Sequence, residues 1–252
     1  MKKRFLGVLL SVAMVAAVLA GCGSSSAKET AAPAGSETEA ASEAASGETE
    51  AAGNTGDVIT VGFSQVGAES DWRTANSESM KSTFSKENGY NLIFDDAQQK
   101  QENQIAAIRN FIQQEVDYIV LAPVTESGWD TVLQEAKDAE IPVIIVDRMV
   151  DVSDDSLYTA WVGSNFKLEG QKACEWLKQY AAAKNMSEVN IVDIQGTIGA
   201  SAQIGRTEAL NEAVQANGWN LLAQQTGEFT QAKGQEVMES MLKQYDNINV
   251  VY

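Results

Sequence analysis

Two short runs bring opposite charges together, the first beside an aromatic ring: Glu69-Ser70-Asp71-Trp72-Arg73 and Asp147-Arg148. Arg206 adds another guanidinium, Phe229 another ring and Asn165 a planar amide. Carboxylate, amide and guanidinium groups each present paired hydrogen-bonding atoms, so each can grip two neighbouring hydroxyls, and charge roughly doubles the strength of such bonds. An aromatic face can lie against the apolar C–H side of a ring. The combination suits a polyhydroxylated ring. A phosphate site would look different: the chain has no G-x-x-x-x-G-K-[ST] and no G-x-G-x-x-G after a strand pattern. Gly196 and Gly199 leave an anion-binding loop as the alternative there.

What is missing narrows the chemistry further. The 252 residues include no His, which removes the commonest metal ligand, the usual general base, and Ser-His-Asp or Cys-His catalysis. Only Cys22 and Cys174 occur, too few for a disulfide framework or a thiolate zinc site. No metal and no cofactor is expected. A formal charge of −17 argues against nucleic acid, whose affinity comes from Lys and Arg neutralising phosphates, and against adsorption to anionic lipid. At 44% hydrophobic the chain can bury a core, so wholesale disorder is excluded.

The elements that must position these groups alternate. Short continuous apolar runs over 58–64, 91–94, 118–122, 143–146, 158–162, 190–194, 220–224 and 248–252 read as strands. Helices are expected over 72–87, 101–114, 128–139, 167–184, 202–216 and 231–245. In the second of these, Ile105, Ile108, Phe111 and Ile112 share one face at helical spacing. Apolar runs without alternation mark strands covered on both faces, and their alternation with helices predicts a doubly wound parallel α/β fold. Ligands in such sheets sit beyond the carboxyl ends of the strands. Glu69, Trp72, Arg73, Asp147, Arg148, Asn165 and Phe229 all follow strand ends, and Arg206 stands in the helix after one.

The first 56 residues read as an address and a tether. Met1-Lys2-Lys3-Arg4 precedes an apolar run over 5–20. Sixteen residues span roughly 24 Å, short of the ~30 Å hydrocarbon core, so a signal peptide over 1–21 is the better reading than a membrane helix. Leu19-Ala20-Gly21-Cys22 resembles the lipobox of bacterial lipoproteins, which implies cleavage before Cys22 and a diacylglyceryl group on its sulfur. The alternative is a plain secretory signal with an incidental Cys. Residues 22–56, rich in Ser, Ala, Glu, Thr and Gly, cannot bury enough apolar area to offset ordering, and are expected to be a disordered acidic linker; an acidic partner-binding tail is the alternative.

From residue 58 onward the motifs resemble those of a known family. Val61-Gly62-Phe63-Ser64-Gln65-Val66-Gly67-Ala68-Glu69-Ser70, Trp72-Arg73-Thr74-Ala75-Asn76, Asp96 to Gln104, Ile141-Pro142-Val143 and Val146-Asp147-Arg148 are similar to the periplasmic sugar-binding proteins of ABC importers, in the ribose/galactose group, and within it to galactofuranose binders. The resemblance implies a type I periplasmic binding fold: an N-terminal lobe over 57–163 and a C-terminal lobe over 164–252, the latter incomplete because family members continue past the strand at 248–252. It implies that Glu69, Trp72 and Arg73 form the first sugar-binding loop, with Trp72 stacking, and that Asp147 and Arg148 bind ring hydroxyls. By the same resemblance Asn165 sits at the lobe crossover, Arg206 is the second-lobe arginine and Phe229 the second-lobe aromatic wall.

The expected protein is a lipid-anchored, extracytoplasmic solute-binding protein, a monomer and not an enzyme. It would close around a monosaccharide, a furanose or related pyranose, by hinging near Gly163-Ser164. A permease driven by a separate ATPase would then receive the sugar. A sensor module for a receptor kinase would have the same binding core, and a glycoside hydrolase would use Glu69 and Asp147. Other chemistry-bearing residues have plainer roles. Glu126 suits a helix N-terminal region. Trp129, Trp161, Trp176 and Trp219 suit packing, Cys174 suits a buried small apolar site, and Asp95-Asp96 and Asp154-Asp155 suit solvated loops.

Overall fold

The computed structural model describes residues 58–252. The signal peptide, Cys22 and the acidic linker expected over 1–56 lie outside the described residues. Strands β1 (Ile59–Gln65), β2 (Tyr90–Asp96), β3 (Tyr118–Leu121), β4 (Val143–Asp147) and β5 (Ala160–Gly163) form one parallel sheet in the order β2-β1-β3-β4-β5. Helices α1 (Asp71–Thr83), α2 (Gln101–Gln113) and α3 (Asp130–Asp138) connect its first four strands. After β5 the chain enters α4 (Phe166–Ala183) and a second parallel sheet, β7-β6-β8, made of β6 (Asn190–Gln195), β7 (Asn220–Thr226) and β8 (Val250–Val251). Helices α5 (Ser201–Asn217) and α6 (Gln231–Gln244) connect those strands. We call the two sheets with their helices the first and second lobes.

The apolar runs become strands because both faces are covered. On one face of the first sheet Ile119, Leu121 and Ile145 pack with Ile108 and Phe111 of α2 and Trp129, Val132 and Leu133 beside and on α3. On the other, Val61, Phe63 and Val120 pack with Met80 and Phe84 at the end of α1. In the second lobe Ile191 packs with Cys174, Leu177 and Leu210 on one side, and Val192 with Val237 and Met241 on the other. Burying a large aliphatic or aromatic side chain contributes about 1.5–3 kcal/mol, so these faces fix the register and therefore where each strand ends.

Most element boundaries match the periodicity, with two informative shifts. The first helix stops at Thr83, and a separate 3-10 turn covers Lys86–Asn88 before Gly89 turns the chain at φ 87°. The polar stretch Ser85-Lys86-Glu87-Asn88 offers no apolar face to hold another α-helical turn on the sheet. The fifth strand starts at Ala160, two residues after its apolar run begins, because Asp154 caps a 3-10 turn over Asp155–Leu157 that occupies the approach.

Candidate functional site

The loops after β1 and β3 are each held by a buried polar side chain. Gln65, fully buried at the end of β1, donates to Asn76 Oδ1 at 2.8 Å and to Ser77 Oγ at 3.1 Å, and its own Oε1 accepts from Val66 N at 3.0 Å. That ties the loop after β1 to α1. Ser70 caps α1, its hydroxyl accepting from Arg73 N at 3.2 Å, which places Trp72 and Arg73 in the first helical turn. Gln104 on α2 donates to Ala122 O at 2.7 Å and accepts from Val124 N at 2.8 Å, fastening the loop after β3. Val124 O in turn accepts from Arg148 Nη1 at 3.0 Å.

Glu69, Arg73, Asp147 and Arg148 make one nearly buried ion cluster. Arg73 Nε donates to Glu69 Oε1 at 3.1 Å, and Arg73 Nη2 donates to Asp147 Oδ2 at 2.8 Å. Arg148 Nη2 lies 3.6 Å from the same Glu69 oxygen. The side chains of Glu69, Arg73 and Arg148 are only 2–4% exposed, and Asp147 is the most open at 17%. Burial pushes the Arg148 guanidinium down to about 10, helped by the neighbouring Arg73 charge and opposed by Glu69 and Asp147. Glu69 Oε2 and Arg73 Nη1 have no hydrogen-bond partner although both are buried. A buried unpaired donor or acceptor costs about 1–3 kcal/mol, so a partner for either atom would be favourable.

The backbone is strained where it delivers these groups. Asp147 has φ 63°, and Glu228 and Phe229 have φ 54° and 57°. Left-handed conformations in non-glycine residues cost of the order of 1–2 kcal/mol and gather at binding sites. Two glycines make room: a Cβ on Gly163 would overlap the Asp147 carbonyl and the Trp161 ring, and one on Gly196 would overlap the Phe229 ring. The smallest residue is therefore required where β5 passes the Asp147 turn and where β6 ends beneath Phe229.

These groups line one cavity of about 350 Å³ between the lobes. Glu69, Ser70, Trp72, Arg73, Asp147 and Arg148 come from the first lobe; Phe166, Glu169, Ala202, Arg206 and Phe229 come from the second, with Ser164 between. Arg206 bonds Glu169 Oε2 through Nη2 at 2.8 Å and lies 4.9 Å above the Phe166 ring. Arg148 lies 4.9 Å above Phe229, and Arg73 lies 4.8 Å above Trp72. Trp72 remains 58% exposed, with a ring face open to a ligand. Three guanidinium groups face three carboxylates across this lining, so its charge balances.

Seven of the eight residues expected from the sequence converge here: Glu69, Trp72, Arg73, Asp147, Arg148, Arg206 and Phe229. Asn165 is not among the lining residues. Its Oδ1 accepts from Leu168 N at 2.9 Å and caps α4, which satisfies an otherwise free helix N–H. Phe166 and Glu169 line the cavity too, beyond the residues expected from the sequence. Both stand in the first turn of the helix after the crossover, three residues apart and so on one face; that spacing was the available signal. Trp129 is fully buried, with Nε1 donating to Thr125 O at 2.8 Å, while Trp176 is exposed and stacked on Tyr180. Cys174 is buried.

Two parallel-sheet lobes with a polar, ring-lined cleft at their strand ends define the type I periplasmic binding fold, and residues 61–252 match the model of the periplasmic binding protein domain; the chain belongs to that family. It is 48% identical over 190 residues to the galactofuranose-binding protein of Escherichia coli K12, covering 75% of this chain and 58% of that one. Among solved structures it is similar to the binding protein of the arabinose ABC transporter of Shewanella sp. ANA-3, bound to α- and β-L-arabinofuranose (49% identity, TM-score 0.71, 77% of this chain and 63% of that chain). It is also similar to a Mycobacterium smegmatis protein in complex with β-D-fucofuranose, at 48% identity and TM-score 0.73, covering 77% of this chain and 63% of that one. The chain thus spans somewhat under two thirds of the length of these relatives.

Proposed function

We propose that this protein binds a neutral monosaccharide in its furanose form between the two lobes, unchanged, and hands it to an ABC permease driven by a separate ATPase. The observation that carries the reading is the cavity itself. Its buried carboxylates and guanidinium groups balance in charge, two of their atoms still want a partner, and the rings of Trp72, Phe166 and Phe229 stand around it. A charge-balanced lining favours a neutral ligand over a sugar acid or phosphate, because an added anion would be buried without a counter-charge. Relatives named for galactofuranose, arabinofuranose and fucofuranose support the furanose ring.

The site residues follow from the same reading. Glu69, Arg73, Asp147 and Arg148 grip hydroxyls from the first lobe. Arg206 and Glu169 grip them from the second, and Trp72 and Phe229 cover the C–H faces of the ring. Glu69 and Asp147 both hold Arg73, which fixes their positions and leaves Glu69 Oε2 to accept from a ring hydroxyl. The work is placed outside the cytoplasm, with Cys22 as lipid anchor, residues 22–56 as leash and a single copy of the chain per sugar. Family membership supports the location, and the lipobox-like sequence supports the anchor.

Titration calorimetry with galactofuranose, L-arabinose and D-fucose tests the function, with a furanose-locked methyl glycoside beside its pyranose isomer and an aryl-furanoside turnover assay in parallel. Binding of the furanose-locked sugar without turnover is expected. Absence of heat across the panel, or sustained turnover, refutes the proposal.

A further inference from the structure

Two hydrogen bonds run from lobe to lobe and involve none of the ring-gripping side chains. Glu126 N donates to Gly199 O at 2.8 Å, and Met149 N donates to Ser201 Oγ at 2.8 Å. Glu126 and Met149 belong to the loops after β3 and β4 of the first lobe; Gly199 and Ser201 belong to the turn before α5 and its first residue in the second. Met149 immediately follows the Asp147-Arg148 pair, and its N–H is the next backbone donor after the left-handed Asp147. Ser201 is 9% exposed and is the first residue of α5; the capping position before it is Ala200, which offers no side-chain cap. The serine hydroxyl is therefore turned across the lobe boundary and not onto its own helix end.

We infer that Ser201 is a closure latch: a positioning residue whose hydroxyl holds the Asp147-Arg148-Met149 turn against the second lobe once the lobes have come together. The Met149–Ser201 bond joins two lobes, so it exists only while the lobes touch on this side, and separation breaks it together with the Glu126–Gly199 bond. The latter is backbone to backbone and cannot be removed by exchanging a side chain. Ser201 is the partner that can. Its hydroxyl meets the turn one residue beyond Arg148, so the latch steadies two ligand-facing groups from behind while leaving the cavity lining untouched. Losing it leaves the Met149 N–H without a partner only in the closed state, so the effect falls on opening and not on encounter.

The test compares the full chain as wild type, Ser201→Ala and Ser201→Thr, and rests on the furanose reading for only one of its two readouts. The first readout is hydrogen exchange at the Met149 amide. The second is stopped-flow association and dissociation of the furanose-locked sugar. Ser201→Ala is expected to speed Met149 exchange and sugar dissociation by about 5- to 150-fold, the range for one unsatisfied buried donor. Association rate and the ligand-free melting temperature should stay unchanged. Ser201→Thr keeps the hydroxyl and should restore both. Unchanged Met149 exchange in Ser201→Ala overturns the latch. So does a loss that appears equally in the association rate or as a collapse of ligand-free stability, because either makes Ser201 an ordinary structural contact. If wild type binds no furanose while Met149 exchange still responds to Ser201→Ala, the functional reading fails and the latch stands.

Discussion

Glu69→Gln isolates the buried ion cluster. Glu69 Oε1 serves Arg73 Nε at 3.1 Å and faces Arg148 Nη2 at 3.6 Å, with all three side chains at most 4% exposed. Replacing the carboxylate by an amide keeps the volume and one acceptor but leaves two buried guanidinium groups with Asp147 as their one remaining carboxylate in the cluster. Breaking a buried pair outright costs about 3–5 kcal/mol; with Asp147 still 2.8 Å from Arg73, about 2–4 kcal/mol is expected. For a folded region of this size each kcal/mol moves the melting temperature by about 2–4 °C, so the melt should fall by roughly 5–15 °C. The internal control is Glu135→Gln. Glu135 holds Arg109 by two bonds of 2.8 Å, geometry as good as that of Glu69, but the side chains are 37% and 50% exposed. Water screens that pair, and a shift under about 3 °C is expected. Circular-dichroism melts of both variants beside wild type decide the matter. Equal shifts in the two variants would refute the reasoning, since burial would then not set the strength of the cluster.

Three further outcomes follow from other parts of the molecule. Asp193, 2% exposed on β6, has its carboxyl pushed up to about 6 by burial, with the Gln224 amide hydrogen bond acting against that shift. A raised carboxyl stabilises the fold below the unfolded value near 3.8, and that contribution is lost as pH rises through about 6; Asp193→Asn should therefore stabilise by about 1–3 kcal/mol at pH 7 and flatten the dependence between pH 4 and 6 in urea titrations. Gln104→Ala should cost about 2–4 kcal/mol, because Val124 N and Ala122 O lose their buried partner, and should weaken sugar binding because Val124 O steadies Arg148; a denaturant midpoint equal to wild type would contradict this. Gly196→Ala should displace the Phe229 ring from the cavity wall and lower sugar affinity by about tenfold in calorimetry, one ring contact being worth about 1–1.5 kcal/mol.

The order of strands and helices, and seven of the residues that line the cavity, were legible in the sequence. Continuous apolar runs such as Val143 to Val146, short and alternating with helical patterns, read as strands covered on both faces, and the rule that ligands sit beyond their ends picked out Asp147 and Arg148 directly. A helix from Trp72 was legible as well, but the Ser70 cap that starts it at Asp71 and places Trp72 and Arg73 in the cavity wall came from the structure. Three things were decided by tertiary structure alone. Which carboxylate neutralises which guanidinium depends on loops distant in sequence: Arg73 and Asp147 are 74 residues apart and meet only because β1 and β4 flank β3 in one sheet. Phe166 and Glu169 joined the list because the second lobe turns the start of α4 toward the first. Asn165 left it because its amide found the N–H of Leu168 three residues away before it could reach the cavity. Local spacing fixes what a residue can do; the packing of the sheets chooses the partner with which it does it.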